Sequence, residues 1–353
     1  MGNPRAAFCE AFGLDHPVVQ APMIGPKPAL AAAVSAVGGL GSIACAAMSP
    51  EGVRAEVEAL RARTGRPFAL NFFAHTRPAA DADREAAWAR RLGPYYAEFG
   101  IDPGSAAPGP ERLPFDAAMA EVVSALRPPV VSFHFGLPHP DLLAGVRASG
   151  CLVLGCATTV AEARWLAERG VDGIVAQGYE AGGHRGMFLD HDLARQVGTM
   201  ALVPQVVDAV ELPVIAAGGI ADARGAAAAF ALGAAAVQVG TAYLLCAEAG
   251  LSAAHRRALE TSGDADTAVT TVFTGRPARG ILNRAMRELG PISPDAPAFP
   301  SAAAALQPLR AAAEAAGSGD FSPLWSGQAG ALARTGTAAD LTQSLAAGAD
   351  RLR

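Results

Sequence analysis

Two strand endings decide the fold of this chain: Val214–Ile220, which reads VIAAGGI, and Ala236–Thr241, which reads AVQVGT. An Ala-rich helical run, Arg224–Leu232, separates them. This order is typical of the last two strands of a (β/α)8 barrel, where phosphate groups commonly bind at the loops after strands 7 and 8. Gly218 and Gly219 would let backbone N–H groups approach an anion more closely than a side chain permits. The two endings therefore predict a phosphorylated cofactor at the mouth of a barrel.

Eight short apolar runs recur along the chain, and most are followed by a helical pattern. The runs are continuous and do not alternate with polar residues, as expected for strands buried on both faces. Strands that alternate with helices imply a parallel sheet, so the pattern predicts an α/β fold, the (β/α)8 TIM barrel. The predicted strands are Val18–Met23, Gly41–Ala44, Phe68–Phe73, Val130–Phe135, Leu152–Ala157, Gly173–Gln177, Val214–Gly218 and Ala236–Gly240. The predicted helices are Ala29–Val37, Pro50–Arg63, Pro140–Ala148, Thr159–Arg169, Val203–Val210 and Asp222–Leu232.

Two segments interrupt this rhythm and predict additions to the barrel. The first is an insertion after the third strand, and its Gly- and Pro-rich part, Gly100–Pro114, is expected to be an extended loop near the barrel mouth. After the eighth strand the pattern becomes mixed and mostly helical. We therefore predict a cofactor-binding barrel over residues 1–245 with the insertion at 76–128, a small substrate-side domain over 246–305, and C-terminal helices over 306–353 that return to the barrel.

Composition and charge exclude several classes of protein. The formal net charge is -5 and no basic stripe occurs, so nucleic acid is not an expected partner. The five cysteines are odd in number and lack CxxC spacing, which indicates core residues in a reducing compartment. The uncharged run Gly225–Ala247 is long enough to cross a membrane, but it changes from Ala-rich to β-branched and is interpreted as a helix followed by a strand. Without a signal segment, we expect a cytoplasmic protein with no membrane partner.

The predicted strand ends exclude several reaction types, because barrel enzymes place their chemistry there. The ends carry no carboxylate; they are Met23, Ala44, Asn71, His134, Ala157, Gln177, Gly218 and Gly240. A glycosidase would need a carboxylate pair, and a metal-dependent hydrolase would need converging His, Asp or Glu ligands. Lys27 is the only lysine, so a Schiff-base enzyme has almost no candidate. No metal is expected, and redox chemistry by FMN, a flavin with one phosphate, fits the amides, histidines and glycines present.

Amide side chains and glycines supply the predicted cofactor contacts. Asn71, Gln177 and Gln238 each offer donors and an acceptor, which suits the edge of an isoalloxazine ring. Gly182 and Gly183 shape the loop after the sixth strand, and its amides are expected to face the phosphate. Together with the glycine pair after the seventh strand, these residues define the predicted flavin site.

Two histidines are candidates for the chemistry. His184 would lie beside the flavin as a general base near neutral pH; the alternative is that His184 and Glu180 only hydrogen-bond within their loop. His134, at the end of the fourth strand, is a candidate for the substrate pocket, with a buried core histidine as the alternative. The remaining histidines are interpreted as surface or loop residues: His16, His75, His139, His191 and His255.

The motif Thr274–Gly280 carries two arginines, Arg276 and Arg279. Either could bind an anionic substrate or form a salt bridge, and we favour the structural role. Further along the chain, Phe299-Pro300 is followed by a segment unusually rich in Ala.

These motifs together resemble the nitronate monooxygenase family over nearly the whole chain. Any single glycine pair is weak evidence, whereas the string EAGGHRG at Glu180–Gly186, placed after the sixth strand, is strong evidence. The matching motifs are Gln20–Met23, Gly38–Gly41, Asn71-Phe72, Ser132–Pro138, Glu180–Gly186, Ala217–Ile220, Gln238–Thr241, Thr274–Pro277 and Trp325–Gln328.

The resemblance implies an FMN-containing barrel that oxidises alkyl nitronates with O2 to a carbonyl compound and nitrite. It identifies His184 as the catalytic histidine, which removes the α-proton where neutral nitroalkanes are accepted. Monomer and homodimer both remain open. The residues that it places at FMN are Ala21, Pro22, Met23, Asn71, Gln177, Gly182, Gly219, Gln238, Val239, Gly240 and Thr241.

One departure and two alternatives accompany this resemblance. Phe299-Pro300 stands where the family is expected to carry Tyr-Pro, near the substrate pocket, so the departure concerns substrate identity and not FMN binding. The first alternative is an FMN-dependent NAD(P)H oxidoreductase acting on quinones or enoyl-thioesters, which shares the barrel and a similar glycine–histidine string. The second is a flavin-binding barrel without enzymatic activity.

Overall fold

The predicted barrel is present in the computed structural model, which describes residues 3–23, 28–102 and 112–352. Its strands are β1 Val18–Gln20, β2 Gly41–Ala44, β3 Phe68–Phe73, β4 Val130–His134, β5 Leu152–Ala157, β6 Gly173–Gln177, β8 Val214–Ala217 and β9 Ala236–Val239. A short strand outside the barrel, β7 (Gly183–His184), lies between β6 and β8 in the chain. The barrel strands run parallel in the order β1-β9-β8-β6-β5-β4-β3-β2, and two hydrogen bonds of 2.9 Å join the β1 residues Val18 and Gln20 to Leu40, next to β2. The fold class is therefore confirmed as a nearly closed (β/α)8 barrel.

Several helices begin where a side-chain oxygen accepts a hydrogen bond from an amide of the first turn. Ser49 Oγ accepts from Gly52 N at 3.2 Å, and Pro50 occupies the first helical position. One predicted helix starts earlier than expected, at Thr199, because Glu180 from a preceding loop caps the Thr199 amide. The helices are α1 Pro4–Phe12, α2 Pro28–Ala36, α3 Pro50–Arg61, α4 Ala82–Glu98, α5 Ala117–Leu126, α6 Pro140–Ala148, α7 Val160–Glu168, α8 Thr199–Val207, α9 Ala223–Ala231, α10 Thr241–Leu244, α11 Ala253–Thr261, α12 Arg284–Leu289, α13 Ala302–Ala315 and α14 Ala338–Ala346.

Inward-pointing side chains fill the barrel and separate an apolar end from a polar end. At the N-terminal end, Phe8 and Phe12 of α1 stack at 4.5 Å between ring centroids and close the barrel. The middle is filled by small and branched apolar side chains, among them Val19, Ala69, Leu154, Val175 and Ile215. By the alternation of each strand, the inward positions at the C-terminal end carry Asn71, Ser132, His134, Gln177 and Gln238. Polar groups thus gather at the end where barrel enzymes place their sites.

A second hydrophobic core lies outside the barrel, and the insertion after β3 supplies part of it. Trp88 and Tyr96 of α4 pack with α12, α13 and Phe321. Trp88 Nε1 donates to Ala302 O at 3.2 Å across 214 positions of the chain, and Tyr96 OH donates to Ala305 O at 2.6 Å. The insertion and the segment after the barrel therefore pack as one unit.

A small antiparallel sheet joins this unit to the barrel. Its strands, β10 (Thr267–Thr270) and β11 (Ala278–Ile281), extend to β7 in the order β10-β11-β7. The domain boundaries remain a prediction. The predicted boundary between residues 305 and 306 falls inside α13. The last helix, α14, packs on α2 and α9 of the barrel.

Two other expectations concern particular segments. The run Gly225–Ala247 contains most of α9, then β9 and the short helix α10, which confirms its interpretation as a helix followed by a strand. Across the described ranges, no helix combines the length and apolar character needed to cross a bilayer. Most of the expected loop Gly100–Pro114 lies outside the described residues.

Candidate active site

The loop after β6 returns to the barrel mouth and places His184 on β7. In the pairing of β7 with β11, His184 lies opposite Ala278 and Gly183 lies opposite Arg279. Gly183 has a φ of +71°, a conformation that side-chain-bearing residues rarely adopt, and a Cβ there would meet open space. The glycine therefore permits the sharp turn that brings His184 beside the strand ends.

Gln177, predicted as a flavin contact, ties this loop to the barrel. Its Nε2 donates to His184 O at 3.0 Å and its Oε1 accepts from Gly186 N at 2.8 Å. His134 Nε2 also lies 3.1 Å from His184 O. Three of the predicted site residues are thus brought together at the ends of β4 and β6.

The side chain of His184 is buried and oriented by Thr274. His184 Nε2 lies 3.0 Å from Thr274 Oγ1, and the same hydroxyl lies 3.3 Å from Arg276 O, which accepts only. When Thr274 donates to that carbonyl, Nε2 of His184 carries the ring proton and the lone pair lies on Nδ1. The arrangement presents Nδ1 as the basic atom of His184.

The surroundings of His184 favour a neutral ring. Burial lowers the pKa of His184 well below 6.5, and the positive charges of Arg112 and Arg276 are among the causes that lower it further. Burial also lowers the pKa of His134 to about 3. The pocket therefore combines unprotonated imidazoles with nearby arginine charges, which favours an anionic ligand.

Aromatic rings surround the two histidines. We call the following set the aromatic cluster: Phe73, His75, His134, Phe135, His184, Phe299 and Trp325. Contacting rings in this cluster have centroids 4.6 to 6.3 Å apart. Phe135 itself has a φ of +72°, a strained conformation for an aromatic residue that is often kept at functional sites. His75, Phe135, His184 and Phe299 of this cluster are buried.

His75 is the residue of this pocket that the sequence interpretation missed. It is not a surface residue: only 5% of it is exposed, and burial lowers its pKa to about 4. Strand periodicity holds the signal that could have identified it, because Asn71, Phe73 and His75 fall on alternate positions and share one face of β3 and its continuation.

A buried hydrogen-bond network around Arg185 holds the His184 loop in place. Arg185 Nη1 donates to Gly178 O at 2.7 Å, and its Nε and Nη2 donate to Gln196 Oε1 at 3.1 and 2.9 Å. Gln196 Nε2 donates to Thr158 Oγ1 at 3.1 Å, and that hydroxyl donates to the buried carboxylate of Glu162 at 2.8 Å. Arg185 thus anchors the loop rather than contributing to the pocket.

Glycines after β8 and β9 form a cradle at the barrel mouth. Gly218 and Gly219 have φ values of +109° and +70°. A Cβ on Gly218 would lie 3.0 Å from Thr199 Oγ1, and one on Gly240 would lie 3.4 Å from Ala21 Cβ. The positive φ values therefore favour glycine at 218 and 219, and the phosphate site at these turns stays a prediction.

Gly182 has a different neighbour from the one expected. A Cβ on Gly182 would lie 2.5 Å from Gly327 N, so this glycine allows the segment Trp325–Gln328 to pack against the loop. Gly327 N also donates to Thr241 Oγ1 at 2.9 Å, and Gln328 N donates to Glu180 O at 2.9 Å. The segment thereby connects the His184 loop to the turn after β9.

The other predicted flavin contacts lie around this mouth. Asn71 Nδ2 donates to Ser132 Oγ at 2.9 Å inside the barrel. Val239 packs its side chain into the core between the barrel and its helices, so only its backbone faces the turn after β9. Ala21, Pro22 and Met23 follow β1 and are partly buried.

The two arginines of the Thr274–Gly280 motif have separate roles. Arg279 donates to Tyr179 O at 3.2 and 3.1 Å and to Thr267 Oγ1 at 3.2 Å, consistent with the structural role that we favoured. Arg276 places its guanidinium carbon 3.8 Å from the ring centroid of Phe135, within the aromatic cluster.

Several known proteins are similar to this chain in sequence or structure. A family model described as nitronate monooxygenase matches residues 5–348. A nitronate monooxygenase of Pseudomonas aeruginosa is 44% identical over 347 residues, covering 96% of this chain and 97% of its own. The crystal structure of nitroalkane oxidase from Streptomyces ansochromogenes is 39% identical, with a TM-score of 0.87 and 98% of each chain covered. FabK from Thermotoga maritima is 27% identical, with a TM-score of 0.73 over 98% of this chain and 96% of its own.

Proposed function

The chain belongs to the nitronate monooxygenase family and is an oxidoreductase, and we propose that it oxidises alkyl nitronates with FMN and O2 to a carbonyl compound and nitrite. The observation that carries this proposal is the placement of His184. The ring stands buried among aromatic side chains beside the barrel mouth, with Thr274 on Nε2 and arginine charges nearby.

FMN is the proposed cofactor because the residues present fit its parts. The glycine cradle after β8 and β9 suits a single phosphate, and the inward amides of Asn71, Gln177 and Gln238 suit the ring edge. The loop bonds of Gln177 use one of its two N–H groups and one carbonyl lone pair, so it keeps capacity for a cofactor. When bound, FMN accepts electrons from the substrate and passes them to O2.

The pocket favours an anionic nitronate over a neutral nitroalkane. Arg112 and Arg276 place positive charge near His184. The same charges, together with burial, weaken His184 as a base, whereas a nitronate has already lost its α-proton. For a neutral nitroalkane, Nδ1 of His184 is the proposed acceptor of that proton. We therefore expect a higher kcat/KM for the nitronate than for the parent nitroalkane.

The function is tested by anaerobic visible spectroscopy of the purified protein. Ethylnitronate is expected to change the flavin absorbance and NADH to leave it unchanged. After admission of air, O2 consumption and nitrite formation should follow the nitronate added. Mass spectrometry of the flavin released by denaturation should identify FMN, and a colourless protein would refute the cofactor assignment.

The same titration addresses the NAD(P)H oxidoreductase alternative. Bleaching of the flavin by NADH, with no response to ethylnitronate, would reject nitronate oxidation and support that alternative. Bound flavin that responds to neither compound would point to the non-enzymatic alternative.

A further inference from the structure

Three residues in or against the aromatic cluster have buried nitrogen atoms with no hydrogen-bond partner within the described residues. These atoms are both ring nitrogens of His75, Nε of Arg276 and Nε1 of Trp325. Buried polar groups in folded proteins are almost always hydrogen-bonded, so unpaired ones call for a ligand or another explanation. Leaving such a group unpaired costs about 1–3 kcal/mol, and more when the group is charged.

His75 and Arg276 contact the same phenyl ring, that of Phe135. The His75 ring meets Phe135 edge-on, with centroids 6.2 Å apart, and the guanidinium of Arg276 lies over the same phenyl ring. His75 also contacts Phe299 at 4.8 Å, and Phe299 contacts His184 at 5.5 Å. His75 and Arg276 therefore both contact Phe135, and the charge of Arg276 is near enough to contribute to the lowered pKa of His75.

The charge of Arg276 is not compensated by a directly bound carboxylate within the described residues. Arg276 Nη2 donates to the carbonyl of Met187. Glu162 is the carboxylate whose charge acts on Arg276. Its oxygens already accept from Thr158, from Phe188 N at 2.6 Å and from Leu189 N. Arg276 is partly buried, and a guanidinium in such surroundings that lacks a direct counter-ion favours an anion from solution.

We propose that His75 and Arg276 form an oxyanion subsite that binds the charged oxygens of the nitronate and, after oxidation, the nitrite produced. This assignment rests on the proposed function and adds the residues that recognise the substrate. Arg276 supplies the charge and a fixed N–H donor. His75, neutral in the buried pocket, supplies one further N–H donor. Small planar oxyanions are the class of ligand that fits.

The subsite is tested with sodium nitrate, a planar oxyanion that carries no α-carbon to oxidise. Nitrate is expected to perturb the flavin absorbance on titration and to inhibit nitronate oxidation competitively. His75→Phe and Arg276→Met should each weaken nitrate binding about 10- to 100-fold, the range of a hydrogen bond to a charged group. Each should raise KM for the nitronate similarly and change kcat less. Exposed residues provide matched controls, His191→Phe and Arg195→Met, which should bind nitrate as the wild type does.

The outcomes separate the subsite from the function. Wild-type nitrate affinity in both pocket variants, at wild-type flavin content, would overturn the subsite even if nitronates are oxidised. Loss of nitrate binding in those variants would support the subsite even if the protein oxidises no nitronate, in which case the proposed function alone fails. If His75→Phe loses flavin, His75→Gln replaces it in the test. The Gln variant keeps one N–H donor and should bind nitrate with intermediate affinity. Wild-type nitrate affinity in both His75→Gln and Arg276→Met would reject the subsite.

Discussion

At the scale of single residues, the chemistry depends on which nitrogen of His184 is free. When Thr274 donates to the backbone carbonyl of Arg276, Nε2 of His184 carries the proton and the lone pair lies on Nδ1. A flexible histidine would divide its time between two tautomers and several rotamers. One hydroxyl therefore sets both the orientation and the protonation pattern of the proposed base.

Replacing His184 should separate the two substrate types. In His184→Asn we expect normal flavin content and a loss of about 10²- to 10⁴-fold in kcat/KM for a neutral nitroalkane, the range of general-base removal. The nitronate should lose much less, because no proton has to be removed. Steady-state O2 consumption with both substrates measures the difference, and equal losses on both would remove His184 from the proton-transfer step.

Replacing Thr274 should affect the same step indirectly. Thr274→Val keeps the shape of the side chain but removes the hydroxyl, so Nε2 of His184 loses its partner. We expect kcat for the neutral nitroalkane to fall about tenfold with nitronate turnover nearly unchanged, while Thr274→Ser restores the wild-type value. Similar kcat in the Val and Ser variants would show that the hydroxyl does not orient the base.

At the scale of elements, the His184 loop is held by neighbours distant in sequence. The segment Trp325–Gln328 packs against Gly182 and donates to Thr241, while β11 pairs with β7. The string of glycines in this loop indicated a functional turn, but the expected neighbour was a phosphate. Sequence pattern could not identify the C-terminal segment, because close backbone packing requires only small residues on both sides and leaves no periodic signal.

Two adjacent glycines provide a test of this packing. Gly182→Ala places a methyl group against the backbone of Gly327, which cannot give way as a flexible side chain would, so we expect a loss of about 1–3 kcal/mol in unfolding free energy. Gly183→Ala meets open space and suffers mainly from its positive φ, about 1–2 kcal/mol. The first variant should also lose flavin because the segment borders the turn after β9. Urea unfolding and flavin content measure both effects, and normal flavin in Gly182→Ala would show that the segment does not support the cofactor site.

At the scale of the whole molecule, buried neutral histidines should make the protein sensitive to acid. The pKa values of His75 and His134 are lowered to about 4 and about 3, below the value of about 6.5 expected in the unfolded chain. Below pH 6.5 the unfolded chain therefore binds protons that the folded chain does not. The stability linked to His75 is complete above pH 6.5 and is lost as the pH falls towards 4.

A variant isolates this contribution from that of the carboxylates. In His75→Phe, the slope of unfolding free energy against pH between 6.5 and 4 should be smaller than in the wild type by up to about 1.4 kcal/mol per pH unit. Urea denaturation at several pH values measures the slope, and the exposed control His191→Phe should keep the wild-type slope. Identical slopes in all three proteins would mean that His75 is not held neutral in the folded state.

The sequence by itself determined the barrel and the strand ends at which the candidate site lies. Runs of buried residues, helix-ending glycines and the polar residues at the strand ends are local signals, so all eight strands and the meeting of His134, Gln177 and His184 follow from the order of the chain. The tertiary structure alone decided that the insertion packs with α13, that Thr274 orients His184, and that His75 is buried. These contacts join positions far apart in the chain, and local periodicity carries no information about which distant surface an apolar or polar group will meet.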